Sequence, residues 1–243
     1  MYCHSKDYAF RYSDADFQDI VRPASFLAVM QESACLSADE LGFGYKILQP
    51  KNIGFILSNW YVDLLRPVKY DDVLTVHTWP VKPKHMIVMR DFELFANEQK
   101  IGVGTSRWCL VDLTSFTLLP TSVIFSAMNI DYNDFRSTPF NSWKIPRVSS
   151  GNAVYKKMIS YSDYDHYNHV NNTKYADLLM DAFSVEELRG KWAKQFRVSY
   201  IKQCKYGEKL LFYRDKLDND VWIVEGRVDD ELRVQFYVEF DRL

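Results

Sequence analysis

The fold of this chain is decided by the stretch SYSDYDHYNHVNNTKY, residues 160–175. It concentrates two acids, two histidines and three asparagines at the start of an apolar periodic run. Such a segment is a candidate reactive site, because the free N–H groups of a first helical turn favour developing negative charge. A polar turn that caps the helix would have the same composition. The stretch alone leaves both interpretations open.

An earlier segment repeats this stretch. Residues 12–26 read YSDADFQDIVRPASF, and each residue lies 149 positions before its counterpart in 161–175 (161 − 12 = 149). A second match pairs Lys69–Asp72 with Lys205–Glu208 at an offset of 136 (205 − 69 = 136). Repetition with the order of segments kept indicates a duplicated domain, and the smaller offset makes the second copy shorter between helix and strand.

Each copy has the pattern of a helix followed by strands. Apolar residues recur at helical spacing over Phe26–Leu41, Pro23 suits the first turn, and Gly42 supplies a stop. The second helix is predicted over Thr173–Phe183, and Ser184–Glu187 has capping-box spacing for a short extra helix. The predicted strands are 53–65, 73–79, 86–96, 101–112, 196–200, 209–215, 221–228 and 232–240. Short turns between them predict antiparallel sheets.

The composition describes a globular protein and excludes several classes. With 243 residues and 47% hydrophobic residues, the chain can bury a core. Its net charge of −2 gives no reason to expect that it binds nucleic acid. Four scattered cysteines show neither disulfide nor metal spacing. No apolar run is long enough to span a membrane, and residues 1–11 do not read as a signal peptide. We expect a soluble, cytoplasmic protein.

The repeat predicts the domain organisation. Residues 1–119 form an N-terminal domain, residues 151–243 a C-terminal domain, and residues 120–150 a linker. The linker contains two prolines, but its aromatic residues are too frequent for a free tether, so we expect it to pack across the first domain. Each domain should be one helix against an antiparallel sheet, since a helix with an apolar face needs a sheet to cover it.

This pattern resembles the acyl-acyl carrier protein thioesterases, which carry two tandem hot-dog domains in one chain. The resemblance covers nearly the whole sequence, and its most specific part is His169–Asn172 with Tyr175, preceded by Asp163–Asp165. Further matching segments are Asp14–Asp16, Gln31–Ala34, Leu41–Tyr45, Trp60, Trp79–Pro80, Ser106–Asp112 and Tyr200–Cys204. The resemblance implies an α+β fold in which a long central helix of each domain is wrapped by an antiparallel sheet.

It also implies the hydrolysis of an acyl thioester on the phosphopantetheine arm of an acyl carrier protein, with release of free fatty acid. In the family the second domain carries the reactive groups and the first holds the acyl chain. The carrier protein and the fatty acyl thioester are the expected partners, and neither metal nor cofactor is expected. Two tandem hot-dog domains in one chain already resemble the usual dimer of single hot-dog domains. The resemblance therefore leaves open whether this chain forms a homodimer.

Carried over by position, the family's aspartate falls on Asp165 and its histidine on His169. Thioester hydrolysis needs an activated water or a nucleophile, a stabilised oxyanion and a proton for the departing thiol. Asp165 is expected to activate water or attack directly, and His169 to orient the carbonyl or pass the proton. Backbone N–H groups around residues 170–172 are expected to face the oxyanion. The alternative for Asp165 is a turn-forming or capping role, and the alternative for His169 is a polar residue that is simply hydrogen-bonded near the helix start.

At the next positions the sequence departs from the family in part. The family's asparagine falls on Tyr167, with Asn168 beside it, and we expect both to contact substrate. Its glutamate falls on Gln203, which can position a water but cannot take its proton. Its cysteine falls on Cys204, which raises a second scheme with a Cys–His pair and a covalent acyl intermediate. Inert packing is the alternative for the thiol.

The first copy has Ile20 at the position of His169 (169 − 20 = 149), so one active site per chain is expected. Asn171 is a candidate both for substrate binding and for capping the helix. Apolar residues of the first domain are candidates for the acyl pocket, with core packing as the alternative. They are Phe26, Met30, Phe55 and Trp60.

Other functions stay open at this point. A hot-dog acyl-CoA thioesterase or dehydratase would use the same types of residue, and a non-catalytic acyl or carrier-protein binding module would explain the departures at Tyr167 and Gln203. A local surplus of lysine and arginine over residues 191–209 fits an acidic carrier protein, but it also fits a solvated strand face.

Overall fold

A computed structural model of the protein describes residues 1–138, 140, 142–149, 151–165 and 168–243. Its helices are α1 Pro23–Glu40, α2 Tyr45–Leu48, α3 Ser122–Phe125, α4 Asn172–Met180 and α5 Val185–Leu188. Its strands are β1 His4–Ala9, β2 Ile53–Leu64, β3 Val73–Pro80, β4 Ile87–Ala96, β5 Gln99–Asp112, β6 Tyr155–Met158, β7 Lys191–Tyr200, β8 Lys209–Asp218, β9 Val221–Val228 and β10 Glu231–Arg242. No helix among these residues is long and apolar enough to cross a membrane.

The chain divides into two compact units. The first contains residues 1–10, 28–62 and 71–141, and the second contains residues 11–27, 63–70 and 142–243. Both copies of the repeated loop therefore lie in the second unit, together with the chain that follows β2 and the chain that follows β7.

In the first unit the strands follow the order β1-β3-β4-β5-β2, and the pairs from β1 to β5 are antiparallel. Helix α1 lies close to this sheet, because Gly104 of β5 leaves room for Met30: a Cβ on this glycine would lie 2.5 Å from the Met30 Cε. The predicted helix is confirmed, and Gly42 ends its segment at φ +80°.

In the second unit the order is β7-β10-β9-β8-β6, again with antiparallel pairs, and α4 packs against β9 and β10. The predicted second helix is too long: α4 ends at Met180, so Ala182 and Phe183 pack outside it. Ser184 accepts the N–H of Glu187 and caps the predicted short helix. The expectation of a long helix in each copy thus holds for α1, with 18 residues, and not for α4, with 9.

Two strands escaped prediction because their sequences do not alternate clearly. Strand β1 reads HSKDYA and β6 reads YKKM, and each lies at the end of the strand order given for its unit. Edge strands are often short and charged, which discourages pairing with other chains and also removes the apolar alternation that prediction uses.

The segment between the copies packs on both units, not on the first alone as predicted. In the first unit Arg136 and Ser137 bind the buried Asp91, and Phe140 stacks on Tyr61 with ring centroids 4.1 Å apart. In the second unit Arg147 binds the buried Glu225. Each unit therefore anchors its part of the segment on a carboxylate in the middle of a strand.

Candidate active site

The second loop, residues 160–171, is built on the buried Asp163. Its Oδ2 accepts the Ser160 N–H at 2.8 Å and lies 3.2 Å from the Lys157 ammonium. Its carbonyl accepts the Asn171 N–H at 2.8 Å, which closes the loop at the point where α4 begins. Asp163 is 4% exposed, so its role is to form the loop and not to meet a substrate.

Asp165 and His169 face each other across this loop. The Asp165 N–H donates to the His169 carbonyl at 2.8 Å, and the His169 N–H donates to Asp165 Oδ1 at 3.3 Å. Both residues are half-buried. Between them Asn168 has φ +61°, a left-handed conformation that asparagine tolerates better than most residues. The loop therefore brings the two predicted catalytic residues together.

Helix α4 begins directly after the loop. The side chain of Asn171 accepts the N–H of Thr173 at 2.9 Å and its hydroxyl at 2.8 Å, so Asn171 is the N-cap. The Lys174 N–H donates to the Asn171 carbonyl at 3.0 Å. Two of the early N–H groups of α4 are thus engaged within the chain.

The strand-end segment, residues 200–208 after β7, reaches the loop from the other side. The Gln203 amide lies 3.5 Å from the Val170 carbonyl, and the Cys204 N–H donates to the Tyr175 hydroxyl at 3.1 Å. The buried Arg233 of β10 donates to the Gln203 carbonyl at 3.0 Å. Gln203 and Cys204, distant in sequence from the loop, therefore lie next to it.

Burial sets the protonation of the groups behind the loop. Cys204 is 1% exposed, and burial raises the pKa of its thiol, although a hydrogen bond from Tyr175 opposes the shift. Burial also raises the pKa of Tyr175 and of Tyr200. At neutral pH all three groups are protonated, so the tyrosines serve as hydrogen-bond partners and the thiol is not a thiolate.

The first loop, residues 11–22, repeats the hydrogen bonds of the second. The Asp16 N–H donates to the Ile20 carbonyl at 2.8 Å, and the Ile20 N–H donates to Asp16 Oδ1 at 3.1 Å. Asp19 has φ +61°, as Asn168 does. An aspartate at the position of Asp165 therefore supports the same turn in a copy without the histidine.

Around the first loop the site positions are apolar. A small cavity there is lined by Ile20, Val21, Pro23, Phe26, Leu64, Pro67, Val68, Trp192, Ala193 and Phe196. By the offsets of 149 and 136, Ile20 stands for His169, Phe26 for Tyr175, Leu64 for Tyr200, Pro67 for Gln203 and Val68 for Cys204. The two copies thus share a loop and differ in every one of these side chains.

Comparison with known proteins assigns the chain to a family. The model of the acyl-ACP thioesterase N-terminal domain matches residues 1–118, and the model of the C-terminal domain matches residues 152–233. The chain belongs to the acyl-ACP thioesterase family. Membership supports the hydrolysis of fatty acyl thioesters.

Relatives of this acyl-ACP thioesterase family member agree on the fold. A crystal structure of an acyl-ACP thioesterase from Bacteroides thetaiotaomicron superposes with a TM-score of 0.90 over 98% of both chains at 22% identity. The 12:0-ACP thioesterase from Umbellularia californica superposes with a TM-score of 0.83 over 99% of this chain and 98% of its own at 15% identity. The provisionally named acyl-CoA thioesterase YneP of Bacillus subtilis is 25% identical over 118 residues, 48% of this chain and 85% of its own.

The remaining predicted site residues of this thioesterase lie in different places. Tyr167 lies outside the described residues. Phe26 lines the cavity beside the first loop, whereas Met30 packs on Gly104 in the first unit. Trp60 is fully buried in the first unit, with its ring 5.2 Å from that of Phe92.

Prediction from sequence missed the roles of two residues behind the loop. The Tyr200 hydroxyl donates to the Asn172 carbonyl at 2.9 Å, and Arg233 holds Gln203. Tyr200 begins the segment Tyr200–Cys204 that resembles the family, and the first copy has Leu64 at its position. This difference between the copies could have identified Tyr200. Arg233 comes from β10 and has no such signal. Among the described residues, no group of three or more His, Cys, Asp and Glu side chains is placed to hold a metal ion.

Proposed function

We propose that this chain hydrolyses acyl-acyl carrier protein thioesters and releases free fatty acid from one site, built on the second loop. Two contacts just before α4 carry the proposal: the His169 N–H donates to Asp165 Oδ1, and the Gln203 amide reaches the Val170 carbonyl. The first loop has the same backbone but Ile20 and Pro67 in place of His169 and Gln203. Only the second copy therefore combines the loop aspartate with a histidine and with the amide of Gln203.

We infer further that the chain consists of two tandem hot-dog domains, with 1–119 as the acyl-holding copy, 120–150 as the linker and 151–243 as the catalytic copy. The repeated loop hydrogen bonds support a duplication. So does the match to YneP, in which about half of this chain corresponds to most of the relative. The family-model boundaries at 118 and 152 lie close to the proposed ones.

In the proposed mechanism Asp165 activates a water or attacks the thioester carbonyl. Its Oδ1 already accepts the His169 N–H, so the carboxylate has a fixed orientation before substrate binds. The His169 imidazole orients the carbonyl or delivers the proton to the departing thiol. Gln203 can hold a water but, as an amide, cannot remove its proton, so the base must be Asp165 or His169.

The covalent scheme through Cys204 is the less favoured alternative. A nucleophilic cysteine acts as its thiolate, and burial at 1% exposure raises the pKa of this thiol. The Tyr175 hydroxyl hydrogen-bonds the sulfur and does not take its proton. Cys204 is therefore proposed to pack behind the site.

We accordingly expect Cys204→Ala to retain at least about a third of the wild-type kcat/KM, because the Cys204 N–H that binds Tyr175 is unchanged. The rates are obtained from the release of free thiol from an acyl thioester, which a thiol reagent detects. Cys109 is half-buried and is distant in sequence from Cys204, so Cys109→Ala is the matched control variant. Loss of activity in Cys204→Ala alone would favour the covalent scheme.

Two groups of substrate contacts are proposed. Tyr167, Asn168 and Asn171 are proposed to line the pantetheine path, although Asn168 and Asn171 also have the turn and capping roles described above. Phe26, Met30 and Trp60, all nearly completely buried, are proposed to bound the acyl chain.

An acyl-CoA thioesterase is the second candidate, because YneP carries that name. Three lysines of the predicted basic segment are paired with carboxylates, in Lys191–Asp220, Lys194–Asp241 and Lys202–Glu231. These pairs weaken the attraction for an acidic carrier protein and for the phosphates of CoA alike, so they do not separate the two candidates.

The two candidates are separated by measuring thiol release from matched acyl-acyl carrier proteins and acyl-CoAs of several chain lengths. We expect a higher kcat/KM on the carrier-protein substrates. A higher value on acyl-CoA would favour the second candidate. If neither is hydrolysed, hydration of an enoyl thioester tests the dehydratase, and carrier-protein binding without turnover would indicate a binding module.

A further inference from the structure

Two tyrosine hydroxyls distinguish the second copy of the site from the first. Tyr175 stands where the first copy has Phe26, and Tyr200 stands where it has Leu64. The rings of Tyr175 and Tyr200 contact each other edge to face, with centroids 5.9 Å apart. The first copy keeps the loop and its turn without either hydroxyl, so the fold at these positions does not require them.

Each hydroxyl bonds to one of the two walls of the site, which are the start of α4 at Asn172 and the Gln203–Cys204 segment. The Tyr200 hydroxyl donates to the carbonyl of Asn172, the first residue of α4. The Tyr175 hydroxyl accepts the Cys204 N–H and hydrogen-bonds the Cys204 sulfur. One bond thus fixes the start of the helix, and the other fixes the segment that carries Gln203.

The first copy joins the same two walls differently. There the Val21 N–H donates to the Val68 carbonyl at 2.8 Å, and Ile20 forms an antiparallel bridge with Lys69. Within the described residues of the second copy, the equivalent Val170 N–H has no backbone acceptor, and the Val170 carbonyl instead faces the Gln203 amide. In the first copy, backbone hydrogen bonds join the loop to the segment after β2. In the second copy, side-chain hydrogen bonds hold the start of α4 and the Gln203–Cys204 segment.

We propose that Tyr175 and Tyr200 are positioning residues for thioester hydrolysis, which fix the start of α4 and the Gln203–Cys204 segment beside His169 and Val170. This inference rests on the proposed function. Small displacements of such walls lower the rate steeply.

The test compares Tyr175→Phe and Tyr200→Phe with Tyr155→Phe. Tyr155 is the matched control, because its hydroxyl hydrogen-bonds Asp181 at the opposite end of α4. We expect kcat to fall about tenfold in each test variant, with KM within about twofold, and to stay within about twofold in the control. Thermal midpoints of all three variants should be similar.

Hydrogen exchange provides a readout that does not depend on turnover. Amides of the first turn of α4 should exchange faster in Tyr200→Phe, and those near Asp181 faster in Tyr155→Phe. Unchanged kcat together with unchanged exchange would overturn the inference. A lowered thermal midpoint with unchanged kcat would overturn it as well, since that is the result of a structural role alone. An inactive wild type would refute the proposed function itself, and exchange would still decide whether the hydroxyls hold α4.

Discussion

Asp165→Asn is expected to lower kcat/KM for thioester hydrolysis by at least about a hundredfold, the size typical for loss of a general base or nucleophile. Asparagine keeps the oxygen that accepts the His169 N–H, so the turn should survive. It loses the negative charge that activates water or attacks the carbonyl. Free-thiol release under saturating and limiting substrate gives kcat and KM separately.

The chain supplies its own control for this experiment. Asp16 has the same backbone contacts as Asp165, with Oδ1 accepting the Ile20 N–H at 3.1 Å, but it lies in the copy without the histidine. Asp16→Asn should therefore stay within about twofold of wild-type activity. Equal losses in the two variants would mean that both aspartates only shape their loops, and the assignment of Asp165 to catalysis would be wrong.

The repeat, helix α1 and the two loop residues are features that the sequence could predict. The constant offset between Tyr12 and Tyr161 predicts a duplication. The helical periodicity after Pro23 predicts α1 correctly, because its apolar face is long and bounded by proline and Gly42. The loop histidine and aspartate could be found because they are neighbours in sequence. Short-range patterns suffice for features of this kind.

Features set by long-range contacts were not predictable. The length of α4 depends on how Phe183 packs against Trp222 and Phe240, which a helical wheel does not contain. The approach of Gln203 to Val170 depends on the path of the chain after β7. Arg233, from another strand, fixes that path, and nothing in its local sequence marks it.

The segment between the copies gives a second case of long-range contact. Its aromatic residues predict that it packs, but its anchors are buried carboxylates on distant strands. Glu225 of β9 is fully buried and accepts hydrogen bonds from Arg147, Arg227, Gln235 and the Val148 N–H. An isolated glutamate in a strand sequence carries no sign of this role.

Glu225→Ala is expected to destabilise the protein by about 3–5 kcal/mol, the usual cost of removing one partner from a buried ion pair. The loss removes the carboxylate from the largely buried guanidinium of Arg227 and from the buried Gln235 amide, which keep only the carbonyls of Val148 and Pro146 as acceptors. Equilibrium urea unfolding followed by tryptophan fluorescence measures the change. Asp241→Asn, which breaks the exposed pair with Lys194, should shift the midpoint little and serves as the control.

The same carboxylate predicts a pH dependence. Burial by itself raises the pKa of Glu225, but hydrogen bonds from Arg147, Arg227 and Val148 outweigh it and leave the pKa below the ordinary value of 4.5. A group with a lowered folded pKa stabilises above its unfolded pKa, and this contribution is lost as pH falls through the folded value. The stability difference between wild type and Glu225→Gln should therefore shrink below about pH 4.5. A difference that stays constant or grows on acidification would mean that the charge of Glu225 does not hold the segment.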